Sequence, residues 1–214
     1  MGTAGDPIDS EGIWCEVRDG AARGGPALFL DRDGVVVKET DYLSRVEDIA
    51  VLPGAAAVIA AANRRGVPVV LVTNQSGIGR GYFGWSEFAA IQHALASALE
   101  AQGARLDAVY ACPHHASGQG AFAVPNHPAR KPNPGMLLRA AADLDLNLRK
   151  SWMVGDKTID IEAAKRAGLA GAMHVLTGYG EAERGRSAPL AGPDFELRFG
   201  RSIVDALALP ILAP

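Results

Sequence analysis

Disulfide-forming cysteines, basic stripes and long apolar runs are all missing from this chain, and each absence removes a class of protein. With Cys15 and Cys112 as its only cysteines, the sequence cannot carry a disulfide framework, so a reducing compartment is expected. The opening Met1-Gly2-Thr3-Ala4-Gly5-Asp6 lacks the basic-then-apolar order of a secretory signal, which makes a cytoplasmic protein the expectation. No apolar run nears the ~20 residues that a membrane-spanning helix needs. Lys and Arg number 21 against 24 Asp and Glu, for a formal net charge of -3, and no stripe of basic or aromatic residues stands out. That balance speaks against nucleic acid or a membrane as partner, and any anionic ligand must be held by a few local cations.

What the chain does contain is an apolar run that stops at two carboxylates, Ala27-Leu28-Phe29-Leu30-Asp31-Arg32-Asp33-Gly34. Read as a strand, it puts Asp31 and Asp33 on one side and Arg32 on the other, with Gly34 letting the backbone turn at once. Two like charges so close are tolerated when a cation sits between them or when one keeps its proton. Both conditions suit phosphoryl chemistry, with Mg²⁺ on the carboxylates, one carboxylate attacking phosphorus and the other a general acid. Such a short motif also recurs by chance, so the rest of the chain has to decide.

Further on, apolar β-rich runs alternate with helical segments. Strands are predicted near 27–31, 68–72, 106–111, 151–154 and 171–176, and helices near 54–65, 85–101, 134–144, 158–167 and 202–208. This rhythm predicts an α/β fold with a doubly wound, mainly parallel sheet. The alanine-rich stretch from Ala55 to Ala62 reads as a helix packed closely on that sheet. Residues 1–25, rich in Gly, Pro and charge, read as an N-terminal extension or packing arm, partly disordered, before one domain over 26–214. In Asn133-Pro134-Gly135, Asn is expected to cap the following helix and Pro to open its first turn.

Ligands in such sheets sit beyond the carboxyl ends of the strands. Here four predicted strands finish in Asp31-Arg32-Asp33-Gly34, Thr73-Asn74-Gln75-Ser76-Gly77, Cys112-Pro113-His114-His115 and Gly155-Asp156-Lys157. One polar loop is unremarkable, whereas four at the same edge of one sheet make a site.

With these residues assembled, the chain resembles the haloacid dehalogenase superfamily of phosphotransferases from about residue 27 to residue 177. Four separated motifs stand in that family's order: Asp31-Arg32-Asp33-Gly34, Thr73-Asn74-Gln75-Ser76-Gly77, Arg130-Lys131-Pro132-Asn133-Pro134-Gly135 and Gly155-Asp156-Lys157-Thr158-Ile159-Asp160. The resemblance implies Asp31 as the nucleophile that takes the phosphoryl group. It implies Asp33 as the acid and base, with a raised pKa and its backbone carbonyl on Mg²⁺. Thr73 would hold phosphoryl oxygens and Lys131 would neutralise their charge. Asp31, Asp33 and Asp156 would hold Mg²⁺, while Asp160, one turn beyond Asp156, would order a metal-bound water.

Within the superfamily, the run from Thr73 to Phe83 together with Cys112-Pro113-His114-His115 and Arg130-Lys131-Pro132 resembles the branch of heptose bisphosphate phosphatases and histidinol-phosphate phosphatases. The motif spacing leaves no room for a large cap domain, so the site should be open. Short loops at 39–42, 76–83 and 113–130 would then set specificity, with Asn74, Gln75, Ser76, Arg80, Arg130 and Lys157 as candidate substrate-binding residues. Arg80 in a glycine-rich loop could meet a second phosphate, favouring a small phosphorylated sugar, a heptose bisphosphate first, over histidinol phosphate or another metabolite. A polynucleotide 3′-phosphatase and a non-catalytic sugar-phosphate sensor are the rivals. The charge balance opposes the first, and the intact Asp31, Asp33, Lys131 and Asp156 oppose the second.

The branch often holds a structural zinc through Cys-x-His and a later Cys-x-Cys. This chain offers Cys112, His114 and His127 but has Ala129 in the fourth place, and three ligands do not close a structural site unless His115 or Cys15 substitutes, so zinc is not expected. Val35 stands where a threonine is usual, outside the reaction itself. A monomer is expected.

Overall fold

The computed structural model describes residues 7–213; residues 1–6 of the expected extension lie outside the described residues. Strands are β1 (Trp14–Val17), β2 (Leu28–Leu30), β3 (Val69–Asn74), β4 (Ala108–Cys112), β5 (Trp152–Gly155), β6 (Gly171–Val175) and β7 (Glu196–Gly200). Helices are α1 (Ala55–Arg64), α2 (Ser76–Gly79), α3 (Trp85–Glu100), α4 (Gly135–Leu144), α5 (Thr158–Arg166) and α6 (Gly180–Ser187). Their order gives a seven-stranded sheet, β1-β4-β3-β2-β5-β6-β7, parallel throughout except for β1.

β2 lies at the centre because both faces and both edges of Leu28-Phe29-Leu30 are covered. Leu28 pairs with Val69 on one side and with Trp152 on the other. Alternate residues feed two cores. Leu28, Leu30, Leu71 and Val154 face α1, α3 and the C-terminal turns, whereas Phe29, Val70, Val72 and Met153 pack with Met136, Leu137 and Ala140 of α4 and Ile161 and Ala164 of α5. Burying side chains of this size fully contributes roughly 1.5–3 kcal/mol each, which explains why an uninterrupted apolar run is a central strand here. From β2 the chain moves outward to β3 and β4, then returns to β5 and moves outward the other way. The reversal of winding therefore falls at β2, whose carboxyl end becomes the crevice.

The predicted doubly wound sheet is present, and the loop from Asp33 to Gly54 carries a single 3-10 turn, Val46–Asp48, in place of a cap domain. Residues 14–17 of the expected extension are an edge strand of the sheet, with Trp14 opposite Ala111 and Val17 opposite Ala108. Three expectations need correction. The segment after 178 adds α6 and β7, and the last predicted helix is a 3-10 turn, Ile203–Ala208. Asn133 does not cap α4: Pro134 holds the cap position, while Asn133 Nδ2 donates to the His127 carbonyl at 3.1 Å. Arg32 does not point away from the two aspartates, because β2 ends at Leu30 and strand alternation no longer applies beyond it. Among the described residues no helix is long and apolar enough to cross a membrane.

Candidate active site

At the carboxyl ends of β2, β3 and β5 a cavity of about 290 Å³ opens, walled in part by Asp31, Asp33, Thr73, Arg130, Lys131 and Lys157. Its floor is a lysine among carboxylates. Lys131, 2% exposed, donates from Nζ to Asp31 Oδ1 at 2.8 Å and to the Val72 carbonyl at 2.8 Å, and pairs with Asp160 Oδ1 at 2.7 Å. Asn74 fixes the backbone beneath it: Nδ2 donates to the Lys131 carbonyl at 2.9 Å and Oδ1 accepts from Lys131 N at 3.0 Å. Asn74, expected to bind substrate, thus spends its amide on positioning this lysine.

Asp156 closes β5 and is fully buried. Its Oδ2 accepts from Tyr179 N at 2.8 Å, while Oδ1 has no partner. One turn later Asp160 accepts from Lys157 N at 3.0 Å, capping α5. Ligand atoms of Asp31, Asp156 and Asp160 all lie within 4.8 Å of one another. Two glycines make this approach possible. Gly34 (φ 84°) and Gly178 (φ 61°) back onto Asp156, where a Cβ would stand 2.4 and 2.2 Å from Oδ2.

Three buried carboxylates share one buried ammonium, and the electrostatics follow from that excess. Burial, with Asp160 and Asp33 nearby, pushes Asp31 up to about 6 against the pull of Lys131. Burial with Asp31 and Asp160 pushes Asp156 up to about 8. Burial works against the Lys131 charge, yet Asp160 and Asp31 hold its ammonium above the ordinary value. Lys157 likewise stays above its ordinary value despite burial, held by Asp31, Asp156 and Glu39. An orphaned buried oxygen on Asp156 inside an all-oxygen donor set suits a hard divalent cation, so these residues fit Mg²⁺.

Asp33 sits apart from the trio. Its carboxylate accepts from Arg32 Nη2 at 2.9 Å and Gln75 Nε2 at 3.1 Å, and the same Gln75 nitrogen donates to Thr73 Oγ1 at 2.8 Å. Gln75 therefore links the expected acid to the expected phosphate holder. Arg32, 1% exposed, is a residue that the sequence reading missed as part of the site. Ser76 opens α2 on the cavity wall.

The remaining candidates divide. Arg130 lines the cavity and donates from Nη1 to the His114 carbonyl at 2.8 Å. Lys157 lines it too, paired with Glu39 Oε2 at 2.9 Å and lying 4.3 Å above the Tyr179 ring. Arg80 is not part of the wall; it donates to Tyr42 Oη at 2.7 Å and meets His115 Nε2 at 3.0 Å. Glu39, Asp41 and Tyr179 complete the mouth. In the third-strand loop Cys112 is buried and the His114 and His127 rings stack at 3.8 Å, with His114 Nε2 against the Glu11 carbonyl at 2.8 Å.

Comparison with known proteins agrees with this geometry. A HAD-hydrolase-like family model matches residues 128–197. A D-glycero-beta-D-manno-heptose-1,7-bisphosphate 7-phosphatase of Mesorhizobium japonicum is 51% identical over 166 residues, covering 77% of this chain and 76% of the relative. A D-glycero-D-manno-heptose-1,7-bisphosphate 7-phosphatase of Thermosynechococcus vestitus is 44% identical over 161 residues, covering 73% and 81%. Among solved structures, a HAD-like phosphatase from Mesorhizobium loti superposes with a TM-score of 0.85 at 43% identity, over 96% of each chain. A D,D-heptose 1,7-bisphosphate phosphatase of B. bronchiseptica, complexed with magnesium and phosphate, gives 0.73 at 32% identity, over 84% of this chain and 94% of that one. On this likeness in sequence and fold, the chain belongs to the haloacid dehalogenase superfamily, in the family of heptose-1,7-bisphosphate 7-phosphatases.

Proposed function

We propose that this protein is an Mg²⁺-dependent phosphomonoesterase that removes the 7-phosphate of a heptose 1,7-bisphosphate through a phosphorylated Asp31. The observation that carries the reading is the Lys131 ammonium, 2.8 Å from Asp31 Oδ1 on the cavity floor and braced by Asp160 and the Val72 carbonyl. Lys131 holds one Asp31 oxygen, so the other is available for in-line attack on phosphorus. Asp33, turned from Arg32 and Gln75 and protonated from solvent or from the previous turnover's water, gives its proton to the sugar oxygen as the bond from phosphorus to that oxygen breaks. Asp33 then takes a proton from the water that attacks the phosphoryl-aspartate, releasing phosphate and restoring Asp31. Thr73 Oγ1 and neighbouring main-chain amides hold the equatorial oxygens, and Lys131 neutralises the charge that builds on them.

Asp31, Asp156 and the main-chain carbonyl of Asp33 would hold Mg²⁺, whose charge screens the Asp31 carboxylate from an anionic phosphate. Asp160 would support that shell from behind while bracing Lys131. The substrate class follows from the relatives' names together with the cations at the mouth: Arg130 offers charge to a second phosphate, with Arg80 behind Tyr42, while Lys157 is paired with Glu39. The same reading takes the chain as a monomer acting in the cytoplasm without nucleic-acid or membrane partners, supported by its net charge of -3 and two unpaired cysteines.

The test is phosphate release with Mg²⁺ from heptose 1,7-bisphosphate, histidinol phosphate and a DNA 3′-phosphate, with the product identified by ³¹P NMR. Heptose 1-phosphate as the product, and the highest kcat/KM for the bisphosphate, are expected. A clear preference for either other substrate overturns the substrate class.

A further inference from the structure

We propose that Asp41 and Tyr179 form a hydroxyl-reading subsite at the cavity mouth, which determines specificity by holding the polyol body of a sugar phosphate. The inference rests on the phosphatase reading above and concerns two residues that its chemistry does not use. Both line the same cavity as Asp31 and Lys131. The Tyr179 hydroxyl donates to Asp41 Oδ1 at 2.6 Å.

An exposed carboxylate beside a phenol is ordinary surface unless something fixes both, and here each is fixed from a different direction. Tyr179 is 41% exposed, yet its backbone is pinned to the catalytic floor: Tyr179 N donates to Asp156 Oδ2 at 2.8 Å and Thr177 Oγ1 donates to the Gly34 carbonyl at 2.5 Å. Its ring lies under the Lys157 ammonium at 4.3 Å. Asp41 adopts φ 61°, a left-handed conformation that costs a non-glycine residue energy and persists only where the surroundings hold it. Glu39 holds it from one side, accepting from Asp41 N at 2.9 Å and from Lys157 Nζ at 2.9 Å; on the other, Arg80 donates to Tyr42 Oη at 2.7 Å. The loop at 39–42 thus crosses the mouth in a set position.

The pair has a definite chemical preference. An ionised carboxylate only accepts, and a phenol oxygen whose proton is already given to Asp41 can accept once more. Adjacent acceptors match adjacent hydroxyl donors, the pattern of a polyol chain, and a negative carboxylate repels a second phosphate. Arg130, on the same cavity, offers the opposite charge. The mouth therefore orients its ligand, with hydroxyls along Asp41 and Tyr179 and a second anionic group towards Arg130.

The test compares kcat/KM for a polyol phosphate with kcat/KM for propyl phosphate, which carries no hydroxyl, in the wild type, Tyr179→Phe and Asp41→Asn. Phe keeps the ring under Lys157 while removing the hydroxyl, and Asn tolerates the left-handed backbone and keeps one acceptor oxygen while replacing the charged second acceptor with an amide donor. Heptose 1,7-bisphosphate serves as the polyol phosphate; glucose 6-phosphate replaces it if the wild type does not hydrolyse the heptose, an outcome that sinks the substrate reading alone. We expect each variant to lose at least about tenfold more on the polyol phosphate than on propyl phosphate, mainly in KM. Equal losses on both substrates, no loss, or a wild type without preference for the polyol phosphate overturns the subsite.

Discussion

Arg32 donates to Asp33 twice, from Nη2 to Oδ2 at 2.9 Å and from Nε to Oδ1 at 3.1 Å, a fork closed between sequence neighbours. Its guanidinium is 1% exposed and lies 5.6 Å over the Phe88 ring. The carboxylate proposed as the acid is thus held against a buried cation beside Asp31 rather than facing another carboxylate. Removing that cation with Arg32→Met should lower stability by about 1.5–3 kcal/mol, the range for hydrogen bonds to charged groups, and should also lower kcat because Asp33 loses its resting position. Urea unfolding and steady-state kinetics on one preparation check both. Unchanged kcat in a folded variant would show that the fork is structural only.

Roles for the two aspartates separate by leaving group. Asp31→Asn should lose about a thousandfold or more in kcat on every substrate, since an amide is a poor nucleophile. Asp33→Asn should suffer far less on p-nitrophenyl phosphate than on a sugar phosphate, because p-nitrophenolate needs little protonation to leave. Identical losses on both substrates would remove Asp33 from the acid role.

Lys131→Met leaves Asp31 and Asp160 buried without their shared ammonium. Breaking such a buried pair costs about 3–5 kcal/mol, so the metal-free variant should melt well below the wild type. Mg²⁺ should restore part of the loss by supplying positive charge, whereas activity should stay low because phosphoryl charge is no longer neutralised. Thermal unfolding with chelator and with Mg²⁺ gives both numbers.

Stability of the metal-free protein should depend on pH in a stated direction. Asp31 at about 6 and Asp156 at about 8 keep protons in the fold that the unfolded chain, titrating near ~4, has released. This stabilisation is complete below ~4 and is lost as pH rises through about 6 and then about 8. Bound Mg²⁺ takes the place of those protons, so the melting-temperature gap between Mg²⁺ and chelator should widen from pH ~5 to ~8. A constant or narrowing gap contradicts the assignment of these carboxylates to the metal.

Gly178→Ala should weaken Mg²⁺ by about tenfold or more, because the added methyl would sit 2.2 Å from Asp156 Oδ2 and 2.8 Å from Gly34 Cα. Gly25→Ala is the control: φ is 69°, equally left-handed, but nothing lies within 4 Å of its Cβ. Mg²⁺ titrations of rate and of melting temperature should move for the first variant only.

The sequence by itself determined the central strands and the polar residues that end them, because a run such as Leu28-Phe29-Leu30 can bury every side chain only between two helix layers, and its first polar residue then marks the strand's end. Asp31 and Asp156 were legible for the same reason, each standing where an apolar run hands the chain to the crevice, whereas Lys131 and Asp160 were legible only through the resemblance of their motifs to the family's. Strands β1 and β7 were not, since edge strands are half-solvated and Glu16, Glu196 and Arg198 interrupt their apolar pattern. Only the tertiary structure decided what the site's side chains hold. Arg32 turned towards Asp33 because the strand had already ended, Asn74 went to the Lys131 backbone, and Tyr179 arrived from a segment more than a hundred residues beyond Asp41 to meet it at 2.6 Å. Partner choice at that range follows from where the sheet brings its loops together, a property that no local pattern of residues carries.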